Sequence, residues 1–338
     1  EPTTHSPSPE VHAHPDFPLS VLSKTMRRVL SDRGDSLLEK SPNCGCEELR
    51  EAIRRYLARN RGMTVDTSQI IVGAGSEYLY GLIVELMGRS RVFAIESPSY
   101  KMIEQVYRAT EIRYDLLPLM QTGIDSRALA ATSADVLHTT PYRSYPSGVT
   151  ASASKRHEYM DWAGHGGRYI IEDDYESEFS VSAKPTETLF SLSPHDNVIY
   201  LNTFSKTISP SLRVGYMVLP KHLVGVFAEK LGFYSCTVPT FEQYVIARLL
   251  GDGDFERHVN RVRRKLLSSE GALNIDDAMD LSGLPLLGYV PDDDAVYKSL
   301  LMCKPVLVAV KEKKYSAVRA YKNIAKRIAG ETVKLMRK

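Results

Sequence analysis

Short apolar runs recur along this chain, each handing over to a stretch with helical periodicity, and few folds accommodate that alternation. Ile70-Ile71-Val72 ends in Gly73-Ala74-Gly75-Ser76, and a helix from Glu77 to Met87 begins at once. Arg91 to Ile95 predicts a strand and Ser99 to Thr110 a helix. Ala134 to His138 predicts a further strand, and Lys155 to Trp162 lies in a helix. Tyr169-Ile170-Ile171 is a strand closed by two acids, and Asn197 to Asn202 and Val214 to Leu219 are two more, with a Ser-Lys turn between them. Upstream, Leu19, Leu22, Met26 and Val29 or Leu30 recur at helical spacing from Phe17 to Asp32. Leu49, Ile53, Tyr56 and Leu57 mark one face of a helix from Glu47 to about Asn60, with acids in its first turn. Strands of this length between helices predict an α/β fold, a mostly parallel sheet sandwiched by helices. Ligands in such folds gather beyond the carboxyl ends of the strands. Ser76, Asp173 and Lys206 fall there, each after a different strand.

Composition narrows the function classes. The chain has 338 residues, 43% hydrophobic and 25% charged, enough to bury a sizeable core. A formal net charge of +2 gives no electrostatic reason to expect nucleic acid as a direct partner. Nothing approaches the ~18 apolar residues of a membrane span, and no charged-then-apolar signal segment opens the chain, so a cytoplasmic protein without membrane contact is expected. Four cysteines, with Cys44 and Cys46 one residue apart and Cys236 and Cys303 alone, make neither a zinc site nor a disulfide framework. Residues 1–16, rich in Pro, His, Ser and Thr, are expected to form a flexible tail or the remnant of a linker. The first residue is Glu1 rather than Met.

Four short blocks carry chemistry. Asn202-Thr203-Phe204-Ser205-Lys206-Thr207 sets a lysine just beyond a buried strand, with Arg213 seven positions on. A lysine amine attacks an aldehyde only when unprotonated, which requires desolvation or a cationic neighbour. Ser205 and Thr203 are candidate donors to a phosphate, and Arg213 offers a planar fork for a dianion. Ile170-Ile171-Glu172-Asp173-Asp174-Tyr175 would put a carboxylate at the mouth of the sheet, where it could keep a pyridinium nitrogen protonated, with Tyr175 reaching the ring oxygen. Gly73-Ala74-Gly75-Ser76-Glu77 offers the amides of a helix N-terminus to a phosphate. Ile95-Glu96-Ser97-Pro98-Ser99-Tyr100 places an aromatic ring where it could stack on a planar cofactor. Each block alone has a plainer reading: a solvated lysine, a helix-capping or metal-binding acid pair, an ordinary turn, a core tyrosine.

In their order and spacing these blocks resemble fold-type I pyridoxal-phosphate (PLP) enzymes, and more closely the aminotransferase-like domain of MocR-type regulators in the GntR family. The likeness runs from Phe17 to about Lys265. It takes in Cys44-Gly45-Cys46-Glu47-Glu48-Leu49-Arg50-Glu51-Ala52-Ile53, Tyr145-Pro146-Ser147-Gly148 and the blocks above. It implies a PLP-binding domain over residues 17–268, with Lys206 as the catalytic lysine that carries the cofactor as a Schiff base. By the same likeness Asp173 pairs with the ring nitrogen and Tyr175 with the ring oxygen, Tyr100 stacks on the ring, and Arg213, Ser205, Thr203 and the amides of Ser76 and Glu77 hold the phosphate. The implied activity is amino-group transfer between an amino acid and an oxo acid in a homodimer. The alternative is an effector domain of a MocR-type regulator that senses PLP or an amine. Two departures stand out: Arg143-Ser144 replaces the family's His-Gln, and Lys40 stands where an aromatic residue reaches the neighbouring subunit's phosphate. No winged-helix module precedes Phe17 in this chain.

Residues 269–338 form an atypical C-terminal α/β segment. The family's small domain, with its late substrate-carboxylate arginine, is not legible after about Lys265. Leu284 to Asp294, Lys304-Pro305-Val306 and a basic amphipathic helix from Tyr315 to Glu331, which carries Arg319 and Arg327, are similar to the C-terminal part of MinD/ParA-type ATPases. The chain contains no Gly-x-x-x-x-Gly-Lys-Ser/Thr loop, so nucleotide hydrolysis is not expected.

Overall fold

Eight strands hydrogen-bond into one sheet in this computed structural model, which describes residues 17–175, 177–179, 187–268, 317–329, 331 and 333. The strands are β1 (Ile70–Gly73), β2 (Val92–Ser97), β3 (Arg113–Met120), β4 (Gly123–Ile124), β5 (Val136–Thr139), β6 (Tyr169–Asp173), β7 (Val198–Thr203) and β8 (Gly215–Val218). Their order is β1-β8-β7-β6-β5-β2-β3-β4. The run from β7 through β6, β5 and β2 to β3 is parallel, whereas β8 is antiparallel to both of its neighbours and β4 to β3. The expected mostly parallel sheet is present, with one reversed strand inside it. Around it run α1 (Leu19–Arg33), α2 (Glu47–Arg61), α3 (Ser76–Met87), α4 (Lys101–Ala109) and α5 (Ser126–Ala131). Then come α6 (Ala153–Ala163), α7 (Leu189–Leu192), α8 (Lys221–Leu231), α9 (Thr240–Gly251) and α10 (Asp254–Ser268).

Strands β1, β5, β7 and β8 are buried along their whole length, which is why each opens on or consists of apolar residues. Alternate residues feed opposite layers. Ile70, Val72, Tyr200, Tyr216 and Val218 pack in one core with Leu49, Ile53 and Leu57 of α2 and with Val245 and Leu249 of α9. Ile71, Ile199, Leu201 and Met217 face the other way, onto Leu79 and Ile83 of α3, Ile103 of α4 and Phe227 of α8. Helix α2 begins with Glu47 and Glu48 at the positive end of its dipole and stops at Gly62, whose φ of 64° a side chain would resist.

Two compact units divide the chain, residues 14–271 and residues 1–13 with 272–338. The sheet belongs to the first. Of the second, the described part is a helix, Ala317–Ile328, with the Arg327 Nε donating to the Val333 carbonyl at 2.8 Å. The tail at 1–16 and the segment from Leu284 to Val306, which with the helix from Tyr315 to Glu331 carried the MinD/ParA likeness, lie outside the described residues. No helix among the described residues is long and apolar enough to cross a membrane.

Candidate functional site

Strands β1, β6 and β7 all finish at one edge of the sheet, and β8 starts there. Gly215 of β8 stands opposite Gly73 on one side and Thr203 on the other, and Leu201 is level with Asp173. Three residues from far-apart blocks thereby reach a common edge.

At one end of this edge is an arginine on a helix N-terminus. Gly75 takes φ +88° to turn the chain from β1 into α3, and no side chain among the described residues caps that helix. Its first-turn amides thus point out of the helix with the positive end of the dipole. A Cβ on Gly75 would meet the Arg213 Nη2 at 2.9 Å and Cζ at 3.2 Å, so the guanidinium lies directly over the glycine. Arg213 Nη2 donates to the Glu77 carboxylate at 2.5 Å. Ala74 is steadied by its amide donating to the Thr237 hydroxyl at 3.0 Å. Beside them, the Thr203 hydroxyl lies 3.1 Å from both the Val214 carbonyl and the Ser205 hydroxyl and accepts the Ser205 amide at 3.2 Å. Thr203 is spent on holding this turn, from which Ser205 is half-buried and Lys206 exposed.

At the other end is a buried carboxylate. Asp173 is 3% exposed, its Oδ2 accepts the Tyr80 hydroxyl, and its Oδ1 has no hydrogen-bond partner among the described residues. His138 stands behind, its Nδ1 sharing a 2.7 Å hydrogen bond with the Tyr107 hydroxyl. Burial first, and then the Asp173 charge, push the Tyr80 hydroxyl well above the ordinary tyrosine range, so it remains a donor. Tyr80 follows Ser76 by four residues, on the same face of α3 and about 6 Å along its axis. One helix thus spans the site, its first turn under Arg213 and its second against Asp173.

The flanking acids of β6 face the opposite layer. Asp174 is ion-paired with Arg61 at 2.5 Å, their side chains 0% and 7% exposed, and also accepts the Tyr200 hydroxyl at 2.6 Å. Glu172 accepts the Tyr142 hydroxyl and the amides of Leu189 and Phe190, at 2.7 and 2.8 Å, capping α7. Glu178 accepts from Asn202 at 2.8 Å and from the Tyr56 hydroxyl at 3.3 Å. Burial raises both the Glu172 and the Glu178 carboxyls to about 7.

The remaining expected residues line the loops above the edge. The strand ends at Asp173, and Tyr175 sits in a bend with its hydroxyl donating to the Arg143 carbonyl at 3.0 Å. Ser144, at the departure from the family pattern, donates to Glu96 at 2.6 Å, and Glu96 also accepts from Thr139 and Thr140. Tyr100 packs edge-to-face on Tyr145, with ring centroids 6.1 Å apart. Lys40 is exposed. Tyr80, His138 and Tyr107 went unread in the sequence. The i, i+4 spacing of Ser76 and Tyr80 could have pointed to Tyr80, and no local pattern points to His138 or Tyr107. No group of His, Cys, Asp or Glu among the described residues could hold a metal ion.

Comparison with known proteins accords with this architecture. A family model described as aminotransferase class I and II matches residues 13–273. The uncharacterized HTH-type transcriptional regulator YdeL of Bacillus subtilis (strain 168) is 30% identical over 248 residues, 73% of this chain and 54% of its own length. The HTH-type pyridoxine biosynthesis transcriptional regulator PdxR of Corynebacterium glutamicum is 31% identical over 265 residues, 78% of this chain and 57% of its own length. The chain therefore spans about half the length of the curated relatives it matches. Among solved structures, kynurenine aminotransferase of Pyrococcus horikoshii superposes with a TM-score of 0.67 at 25% identity, covering 75% of this chain and 65% of that one. LysN, the alpha-aminoadipate aminotransferase of Thermus thermophilus, gives 0.65 at 26% identity, covering 76% and 65%. These comparisons lend no support to a likeness with MinD/ParA ATPases for the C-terminal segment, and that expectation is withdrawn. By the family match over residues 13–273, the chain belongs to the aminotransferase class I and II family.

Proposed function

We propose that residues 17–268 bind PLP and transfer an amino group between an amino acid and an oxo acid, with Lys206 as the catalytic lysine. The observation that carries this reading is the pairing along α3. A buried carboxylate oxygen with no hydrogen-bond donor among the described residues lies one helical turn from an arginine laid over a helix N-terminus. The first suits a protonated ring nitrogen and the second a phosphate, so the residues present fit the cofactor.

Bound PLP supplies an aldehyde carbon and an electron-withdrawing ring. The chain's own residues do the rest. Asp173 Oδ1 holds the proton on the ring nitrogen, braced by the Tyr80 hydroxyl on Oδ2. Arg213, the Ser205 hydroxyl and the amides of Ser76 and Glu77 grip the phosphate, with Thr203 fixing the turn that presents Ser205. Tyr175 orients the ring oxygen and Tyr100 covers the ring. The Lys206 amine, exposed at the edge, accepts and returns the substrate's α-proton. A homodimer in which a partner closes the phosphate end completes the reading.

Reconstitution with PLP tests it. The wild-type chain should gain a visible absorption band, and Lys206→Ala should lose that band and slow the amino-acid half-reaction by about 10²–10⁴-fold. A wild-type chain with no band after reconstitution overturns the proposal. The regulators YdeL and PdxR favour a second reading, an effector domain that binds PLP and an amine without sustained turnover. A half-reaction that stalls after one turnover would select it over the first.

A further inference from the structure

The contact between Glu77 and Arg213 places a carboxylate where an incoming phosphate would bind. Built onto Gly75, a Cβ would lie 2.9 Å from Arg213 Nη2, 3.2 Å from Cζ and 3.4 Å from Glu77 Oε2, so both halves of the ion pair rest over the same glycine. That glycine, at φ +88°, turns the backbone into the first turn of α3. The pair is not a plausible structural staple. The Arg213 and Glu77 side chains are 53% and 23% exposed, and ion pairs so open to water add little to folding. An acid in a helix's first turn is ordinary by itself. An acid bonded to the guanidinium laid across that helix's N-terminus is a resident anion.

We infer that Glu77 competes with the cofactor's phosphate for Arg213 and thereby makes the cofactor exchangeable. The inference rests on the PLP reading above and deepens it. A phosphate dianion that takes the guanidinium must displace the Glu77 carboxylate or lie beside it. Displacement breaks the existing ion pair, and adjacency sets like charges a few ångströms apart. Either way the site loads against a charge that the isosteric amide would not carry. The flexible Glu77 side chain can swing towards solvent, so loading remains possible and reversible.

The experiment titrates PLP, pyridoxal and inorganic phosphate into the wild-type chain and Glu77→Gln, by absorbance for the two aldehydes and by thermal shift for phosphate. Glu77→Gln should bind PLP about tenfold more tightly at low salt. The gain should shrink towards nothing at about 1 M salt, where screening reaches ~3 Å. Inorganic phosphate should follow the same trend, whereas pyridoxal, which lacks the phosphate, should bind both proteins alike. Equal or weaker binding of both phosphate ligands by Glu77→Gln overturns the inference and makes Glu77 an orienting partner of Arg213. A chain that never shows a PLP band, yet binds inorganic phosphate more tightly as Glu77→Gln, sinks the PLP reading and upholds the competition. Matched melting temperatures without ligand would confirm that the substitution leaves the fold intact.

Discussion

His138 Nε2 stands 3.6 Å from Asp173 Oδ2, behind a carboxylate whose same oxygen is bonded to Tyr80. The two side chains come from β5 and β6, neighbours in the sheet, and Tyr80 reaches them from α3. Tyr80 fixes the Asp173 carboxyl by its hydrogen bond to Oδ2, His138 packs behind it, and Oδ1 has no hydrogen-bond partner among the described residues.

Removing the hydroxyl that braces Asp173 should be costly. Tyr80→Phe takes away a hydrogen bond to a charged acceptor in a dry site, worth about 1.5–3 kcal/mol. Urea unfolding should show the stability falling by that amount with the slope unchanged. A change below about 0.5 kcal/mol would mean that Tyr80 does not support Asp173.

A larger loss is expected on the opposite face of β6. Arg61→Met leaves Asp174 with its charge buried and its cation gone, a defect that typically costs about 3–5 kcal/mol. Adding Asp174→Asn should restore part of that loss, because the orphaned charge disappears with it. Unfolding midpoints of the single and double variants provide the check. A double variant less stable than Arg61→Met would contradict the account.

Stability should also fall as pH rises towards neutrality. The Glu172 and Glu178 carboxyls sit at about 7 in the folded chain against an ordinary 4.5. Between those values the folded state retains protons that the unfolded state has released. Each carboxyl therefore lowers stability by up to about 1.4 kcal/mol per pH unit as pH climbs. His258 works the other way: burial, with Arg261 beside it, brings it down to about 4 from an ordinary 6.5. Its contribution grows with pH over that span and offsets one carboxyl. The net decline should steepen from about pH 5, be steepest around pH 6 to 6.5, and ease by about pH 7 as the folded carboxyls ionise. Glu172→Gln should flatten the steeper part. Unfolding free energies measured across this range that climb steadily instead would refute the assignment.

How much of this was readable beforehand depended on where each signal lay. Ile70 to Val72 and Tyr169 to Ile171 announced buried strands because both of their faces are covered. β3 escaped: of its eight residues Leu117 alone is buried, and Pro118 sits inside its apolar stretch from Leu116 to Met120, which argues against a strand. Asp173, Arg213 and the Gly75 turn were legible because each lies at a strand end or within two residues of one. His138 and Tyr80 were not, since each looks like a core residue until β5 and α3 are brought together against β6. Arg61 and Asp174 are 113 positions apart, and no local pattern joins them.

The reversed direction of β8 has a further consequence for how this edge is wired. A parallel strand would have to be reached through a long crossover, which would hand the chain back at the far end of the sheet. Because β8 runs backwards, a short return suffices, closed by the Phe204 amide donating to the Val214 carbonyl at 2.8 Å. Lys206 and Arg213 are thus carried on a single tight loop whose two legs are clamped together. Lengthening that loop would loosen an amine and a guanidinium at one stroke, so the spacing between them is set by the hairpin rather than by either residue's own packing.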